Sequence, residues 1–171
     1  RLSSLNLKET VIVAGDGGDL GQDEAYGPNM DDEIPVNAMS GKESLTSLVL
    51  PDKLRVISGG SGGHCGAFAN CINLSGSLII PEGVEEIGPA AFACCTSLTG
   101  RLQLPSTLKR IGSAKGYDPY WDGTFTECNF TCELIIPDSV EEIGMGAFRY
   151  CKNLYGELRL PDNLKNIGAS A

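Results

Sequence analysis

The sequence has little of what catalytic and membrane-spanning proteins need. It holds one histidine, His64, and only 6 % aromatic residues among 171 positions. No apolar run approaches the roughly 18–20 residues that cross a bilayer, so we expect no transmembrane segment. The first residues lack the apolar core of a secretory signal peptide, and we expect that such a peptide was removed or left out of this sequence.

Motifs for catalysis and for nucleotide or zinc binding are also missing. His64 and Cys65 are sequence neighbours in a glycine-rich stretch, 58–66, which is poorly suited to a rigid nucleophile–base pair. The same stretch lacks the Lys-Ser/Thr ending of a phosphate-binding loop, and no cysteines show the C-x-x-C spacing of a zinc site. We therefore expect no enzyme, no catalytic residues and no cofactor, and a hydrolase is the least favoured function.

What the sequence has in abundance is an internal repeat, Leu-x-Leu/Ile-Pro, Val/Leu-x-x-Ile-Gly, Ala-Phe-x-x-Cys-x-x-Leu. Its prolines follow one another at intervals of 30, 24, 32 and 24 residues: Pro51, Pro81, Pro105, Pro137 and Pro161. A degenerate copy of the repeat precedes these prolines. Together the repeats predict five coils and part of a sixth, numbered 1 to 6, which begin at Leu5, Leu48, Leu78, Leu102, Leu134 and Leu158. Repeats of this length are typical of solenoids, in which each coil packs only on its neighbours.

Each part of the repeat predicts one feature of a coil. Leu-x-Leu predicts a short strand whose outer residues point inward and whose middle residue points outward, and the proline ends it. The Ala-Phe-x-x-Cys-x-x-Leu stretch predicts a helical turn or a short helix packed on the sheet. We expect the Leu-x-Leu strands of neighbouring coils to form one long parallel sheet over a shared core.

The repeat resembles the BspA-like branch of the leucine-rich repeats, over nearly all of residues 45–171 and more weakly over 1–44. The resemblance implies an α/β fold, a right-handed solenoid with a parallel sheet on one side and short helices or turns on the other. It also implies a single domain, 1–171, with a degenerate first coil in 1–44 and regular coils in 45–171. Because the family is associated with adhesion and with bacterial surfaces, the resemblance implies a secreted or cell-surface protein.

Four cysteines occupy one repeat position, three residues after the aromatic one: Cys71, Cys95, Cys128 and Cys151. Since cysteine is small and commonly buried, this favours reduced thiols in the core over disulfide bonds. A bridge between Cys128 and Cys132 stays open as an alternative. The total of seven cysteines is odd, so at least one is free or bonded to another chain.

The net charge of −9 is concentrated in one segment. Residues 16–33 carry seven acids and no Lys or Arg, and the remaining 15 acids and 13 bases give −2. Because phosphate binding needs clustered basic residues, we expect no nucleic-acid partner. A solvated insertion is favoured for the acidic segment, and calcium is the weaker alternative, with these ligands: Asp16, Asp19, Asp23 and Glu24. The paired acids 85–86 and 141–142 recur at one repeat position, and we interpret them as solvated corner residues.

Two surfaces are candidates for partner binding. The first is the edge of the solenoid along which insertions in coils 1, 2 and 4 emerge. The insertion within 112–123 combines aromatic rings with acids, which suits a protein or glycan partner: Tyr117, Asp118, Tyr120, Trp121 and Asp122. The alternative is that these rings fold back over the edge of the solenoid. The second surface is the outward row of middle-strand residues, here called the strand row: Val49, Ile79, Gln103, Ile135 and Arg159, preceded by Asn6. Its branched side chains suit either a partner or strand stability alone.

The sequence thus predicts a non-catalytic binding module whose partner is an extracellular protein or glycan. The alternative is a structural spacer that self-associates through its ends. No polar cap is visible at either end of the repeats, and an uncovered strand edge invites pairing with another copy.

Overall fold

The computed structural model describes residues 3–7, 32–60, 65–113 and 123–171. Regular structure in these ranges consists of short strands on successive coils of a leucine-rich-repeat solenoid: β1 (Ser4–Asn6), β2 (Glu33–Ile34), β3 (Ser47–Val49), β4 (Val56–Ile57), β5 (Leu78–Ile79), β6 (Glu86–Ile87), β7 (Leu102–Gln103), β8 (Arg110–Ile111), β9 (Glu142–Ile143) and β10 (Asn166–Ile167). All the paired strands run parallel, as the repeat predicts. The predicted solenoid fold is confirmed.

The longest sheet has six strands in the order β2-β4-β6-β8-β9-β10, one from each coil. Each strand ends in the isoleucine that precedes the glycine position of the repeat, and these isoleucines pair in register. The prediction that the Leu-x-Leu strands build the long sheet is therefore wrong. Those strands form only two-stranded sheets, β1–β3 and β5–β7, together with one isolated bridge between Glu133 and Tyr155.

The residue that follows each strand explains this difference. From coil 2 onward, a proline follows the Leu-x-Leu element directly and has no N–H to donate, so the ladder of hydrogen bonds stops there. After the isoleucine, by contrast, a glycine N–H continues the ladder into the preceding coil. Gly88 N donates to the carbonyl oxygen of Ile57 at 2.8 Å, and Gly112 N donates to that of Ile87 at 2.7 Å.

The Ala-Phe-x-x-Cys stretches are turns, and the described residues contain no helix. The residue before the cysteine has a positive φ in every coil from 2 to 5: Asn70 (59°), Cys94 (59°), Glu127 (62°) and Tyr150 (59°). A left-handed residue interrupts a right-handed helix. Of the two structures predicted for this stretch, the turn is therefore correct and the short helix is not.

The core is built from one side chain per coil at each repeat position. The rings of Phe68, Phe92, Phe125 and Phe148 stack along the solenoid, with centroids 5.1, 5.9 and 5.5 Å apart. The isoleucines of the long sheet belong to the same cluster, except for Ile167 in the last coil, which is exposed. Single coils cannot bury such rings, so the fold depends on stacking of neighbouring coils.

The predicted core cysteines lie in this stack as free thiols, and we call the four at the repeat position the cysteine ladder: Cys71, Cys95, Cys128 and Cys151. Each thiol contacts a backbone carbonyl of the preceding coil, for example Cys95 Sγ and the oxygen of Phe68 at 3.1 Å. Burial raises the pKa of all four, that of Cys151 to about 12. Cys132 is also a free thiol, and its sulfur accepts a hydrogen bond from Leu102 N. The repeated residues therefore serve the core and are not exposed to a ligand.

Candidate partner-binding surface

The strand row lies on the outer surface of the solenoid, as the strand pattern predicts. The exposed fractions are 43 % for Val49, 59 % for Ile79 and 61 % for Ile135, and Gln103 and Arg159 are also exposed. The residues on either side of Ile79 in the chain, Leu78 and Ile80, are buried. Alternation along the strand therefore presents the middle residue outward while its neighbours hold the coil to the core.

Strand pairing brings members of the row together. The register of β1 with β3 places Asn6 beside Val49, and that of β5 with β7 places Ile79 beside Gln103. Coils 5 and 6 are joined by the isolated bridge between Glu133 and Tyr155. The register of the repeat would instead pair Glu133 with Glu157, so this pairing is shifted by two residues. The backbone is therefore less regular beside the last two members of the row, Ile135 and Arg159.

A crevice of about 240 Å³ opens where this irregular pairing lies, and it is lined by Glu133, Leu134, Ile135, Ile136, Glu157 and Arg159. The guanidinium of Arg159 lies 3.8 Å from the carboxylate of Glu157, and both side chains are more than three-quarters exposed. An ion pair so open to water holds its partners weakly, at about 0–1 kcal/mol. Both charges are therefore available to a partner that approaches Ile135.

The outer side of the long sheet is different, because its charges are paired between coils. Glu85 lies between two cations of neighbouring coils, at 2.6 Å from Arg55 and 2.8 Å from Lys109. Hydrogen bonds from Lys109 and then Arg55 lower the pKa of the Glu85 carboxyl. The paired acids are partly exposed to solvent, as predicted, but their placement at corners is wrong, since they adjoin or lie within strands. Three of them pair with cations of neighbouring coils: Glu85, Glu86 and Glu141.

The same arrangement recurs elsewhere on this sheet. Lys165 lies 2.6 Å from Glu141 and lowers the pKa of its carboxyl, and Arg110 pairs with Glu86. Because each of these pairs joins adjacent coils in register, the charges stabilise the order of stacking. This face is therefore a weaker candidate for partner binding than the strand row.

Several residues predicted as sites lie outside the described residues, and those predictions stay open. They are the aromatic insertion Tyr117, Asp118, Tyr120, Trp121 and Asp122 and the calcium candidates Asp16, Asp19, Asp23 and Glu24. Within the described ranges, no group of three or more His, Cys, Asp and Glu residues could hold a metal ion. The same ranges contain no helix that is long and apolar enough to span a membrane.

The structure also shows a groove that the repeat pattern had not led us to expect. It has a volume of about 550 Å³, lies on the turn side between coils 3 and 5, and is lined by Thr96, Glu127, Asn129, Tyr150 and Lys152. The signal that could have found it is a deletion in coil 4. Six positions separate Cys128 from the leucine that opens the next coil, against seven in coils 2, 3 and 5.

Two solved structures are similar to this fold. A leucine-rich repeat protein from Bacteroides ovatus ATCC 8483 has a TM-score of 0.59 and 26 % identity, over 96 % of this chain and 33 % of its own. The T. pallidum leucine rich repeat protein has a TM-score of 0.59 and 32 % identity, over 80 % of this chain and 62 % of its own. The chain thus spans less than two thirds of the length of either protein.

Sequence families give the more specific result. No curated protein matches the chain. The model of the BspA type leucine rich repeat region, however, matches residues 32–115 and 121–171 in six copies. These ranges cover most of the chain and include the cysteine ladder, the long sheet and, apart from Asn6, the strand row. The chain therefore belongs to the family of BspA-type leucine-rich repeat proteins.

Proposed function

We propose that this chain is a non-catalytic binding module, secreted or displayed at a cell surface, that recognises an extracellular protein through the strand row. The observation that carries the proposal is the exposure of Val49, Ile79 and Ile135 on one face. Solubility does not require apolar side chains there, and rows of exposed apolar residues mark interaction surfaces. Leucine-rich repeat proteins in general serve as protein-interaction modules, which supports the same conclusion.

The free energy available from these residues is sufficient to anchor a partner. Covering the exposed part of one isoleucine contributes about 1–2 kcal/mol, and Ile79 and Ile135 are both more than half exposed. A few such anchors account for most of the affinity in typical interfaces. The row therefore combines enough apolar area with the regular spacing that an elongated partner needs.

The crevice beside Ile135 indicates the chemistry of that partner. Two carboxylates, of Glu133 and Glu157, and one guanidinium, of Arg159, line it and leave a net negative charge beside the apolar Ile135. A partner that presents an apolar side chain to Ile135 and a basic side chain to the two carboxylates would match both features. Charges at the rim of an interface favour the correct partner and speed its association.

The experiment compares capture of extracellular host proteins by immobilised wild-type chain and by two variants. One carries Ile79→Asp and Ile135→Asp on the strand row. The control carries Ile72→Asp, which makes the same kind of substitution once, on an exposed isoleucine of a turn. Circular dichroism must show that both variants are folded.

We expect the row variant to lose the partner that both wild type and the control variant retain. Equal capture by all three proteins would remove the strand row from consideration. The spacer alternative makes a different prediction, namely assembly that depends on concentration and is unaffected by the row variant. Sedimentation velocity measures that assembly directly.

A further inference from the structure

We propose that the turn-side groove between coils 3 and 5 binds an uncharged pyranose unit of a glycan. It would be a second site, independent of the strand row and on a different side of each coil. The proposal rests on how the groove forms, on the unusual residue that forms one wall, and on the polar groups that line it: Thr96, Glu127, Asn129, Tyr150 and Lys152.

The groove is a built feature of coil 4, because the deletion does not disturb the core. Phe130 takes the core position that Leu74, Leu98 and Leu154 occupy in other coils, and it is fully buried. Its ring packs edge-on against Phe125, with centroids 6.0 Å apart. The larger ring fills the interior, so the missing residue is lost from the surface of the turn.

Asn129 fixes the position of the shortened turn. Its amide Nδ2 donates to the backbone oxygen of Thr96, in the preceding coil, at 2.7 Å. Coils 3 and 4 are thereby tied together at the groove. Polar groups of a site are more selective when the surrounding structure holds them in place.

Tyr150 forms the opposite wall at a backbone position that does not suit it. Its φ is 59°, a left-handed conformation that is unfavourable for a bulky side chain. Glycine and asparagine tolerate that conformation, and they occupy the equivalent positions in coils 1 and 2, as Gly41 and Asn70, whereas the smaller Cys94 and the flexible Glu127 stand there in coils 3 and 4. The ring is half exposed and lies outside the core, so packing does not account for its presence. Strain of this kind is frequent where a side chain serves a ligand.

Two cations hold the Tyr150 ring upright beside the groove. The guanidinium carbon of Arg149 lies 4.6 Å from the ring centroid, and Arg149 donates a hydrogen bond to the phenol oxygen at 2.9 Å. Lys152 Nζ lies 5.7 Å from the same centroid. An aromatic ring that is oriented before binding offers contact area at little entropic cost.

A pyranose ring matches this combination of surfaces. It has an apolar C–H face, which the exposed ring of Tyr150 can cover, and a rim of hydroxyl groups that both donate and accept hydrogen bonds. The carboxylate of Glu127, the amide oxygen of Asn129 and the hydroxyl of Thr96 are acceptors for such hydroxyls. The volume of about 550 Å³ is that of a small-ligand site. The carboxylate of Glu127 and the ammonium group of Lys152 give the lining no net charge, which favours an uncharged sugar.

The test uses immobilised neutral oligosaccharides built from glucose, galactose, mannose and N-acetylglucosamine, with sialylated and sulfated oligosaccharides in parallel. We compare the wild-type chain with Tyr150→Asn, which installs the residue of coil 2, and with Glu127→Gln. The control is Ile79→Asp on the strand row. Because asparagine tolerates a positive φ, we expect Tyr150→Asn to fold and to unfold at the same or a higher temperature than wild type.

We expect wild type and the control to bind at least one neutral oligosaccharide, and Tyr150→Asn and Glu127→Gln to bind it about tenfold more weakly or worse. Absence of binding to every neutral oligosaccharide would overturn the proposal, as would undiminished binding by Tyr150→Asn. Binding confined to sialylated or sulfated oligosaccharides would also overturn it. The strand-row proposal is unaffected by any of these outcomes, since Tyr150→Asn and Glu127→Gln leave that row unchanged.

Discussion

The sulfur of Cys128 lies 3.2 Å from the carbonyl oxygen of Phe92, one coil earlier in the chain. The same contact joins Cys151 to the oxygen of Phe125 at 3.0 Å. Each thiol thus gives a second, weak donor to a turn carbonyl that already accepts a backbone N–H, from Cys95 to Phe92 O and from Cys128 to Phe125 O. The cysteine ladder is therefore part of the hydrogen bonding between coils as well as of the core.

The cysteine ladder predicts which thiols are reactive in the folded protein. Burial raises the pKa of Cys151 to about 12 and raises that of Cys128 well above its ordinary value, so both stay protonated and unreactive at pH 8. The half-buried Cys65 lies off the ladder and serves as the internal reference. Brief iodoacetamide labelling, mapped by mass spectrometry, should modify Cys65 well before the ladder cysteines. Equal labelling of Cys65 and Cys128 without denaturant would contradict this assignment.

The phenylalanine stack predicts a graded loss of stability on truncation. Phe92 is fully buried between two stacked rings, so Phe92→Ala should lower the free energy of unfolding by about 3–5 kcal/mol. Phe148 is only partly buried, and Phe148→Ala should cost distinctly less. Urea unfolding monitored by circular dichroism measures both values. A cost for Phe148→Ala equal to that of Phe92→Ala would be inconsistent with the stack as described.

Close approach of neighbouring backbones predicts a cost at Gly66. A Cβ added there would lie 1.9 Å from the carbonyl oxygen of Ala90, so the backbone must shift to admit it. We expect Gly66→Ala to destabilise the chain by about 2–3 kcal/mol. Gly41, whose φ is +67°, has no atom within 4 Å of an added Cβ, and Gly41→Asn is the control with little expected effect. Thermal unfolding measures both variants. A lower melting temperature for Gly41→Asn than for Gly66→Ala would contradict the prediction.

The ion pairs of the long sheet predict loss of stability in acid. The pKa of Glu85 is lower in the folded chain than in the unfolded one, so its contribution is present above the unfolded value of about 4.3 and is lost as pH falls through the lower folded value. The melting temperature of wild type should therefore fall below that pH more steeply than that of Glu85→Gln. Parallel curves for the two proteins would show that Glu85 gains nothing from Lys109 and Arg55. High salt should reduce the difference at neutral pH.

Much of the fold could be predicted because the same pattern of core residues recurs in every coil. The inward leucines, the core phenylalanines and the cysteine ladder follow from spacing alone. The long sheet was missed because its strands are only two residues long and most of them contain one polar residue, as in Glu86–Ile87. Its identity depends on hydrogen bonds between coils, and a sequence periodicity does not contain them.

The candidate sites likewise include one feature that the sequence predicts and one that it does not. The strand row was predicted correctly as exposed, since alternation along a strand decides which side chains point outward. The groove beside Tyr150 was missed because it depends on a one-residue deletion and on which side chain stands at the left-handed position, both of which vary from coil to coil. Irregularities of a repeat are thus more informative about function than the repeat itself.

Site-specific photocrosslinking tests the central claim of a binding face on the strand row most directly. A photoreactive phenylalanine analogue would replace Ile79 or Ile135 on the row and, as the comparison, Glu86 on the long sheet. With extracellular host proteins present, we predict adducts of one and the same partner from positions 79 and 135 and none from 86. An adduct from position 86 with no product from the row would contradict the account.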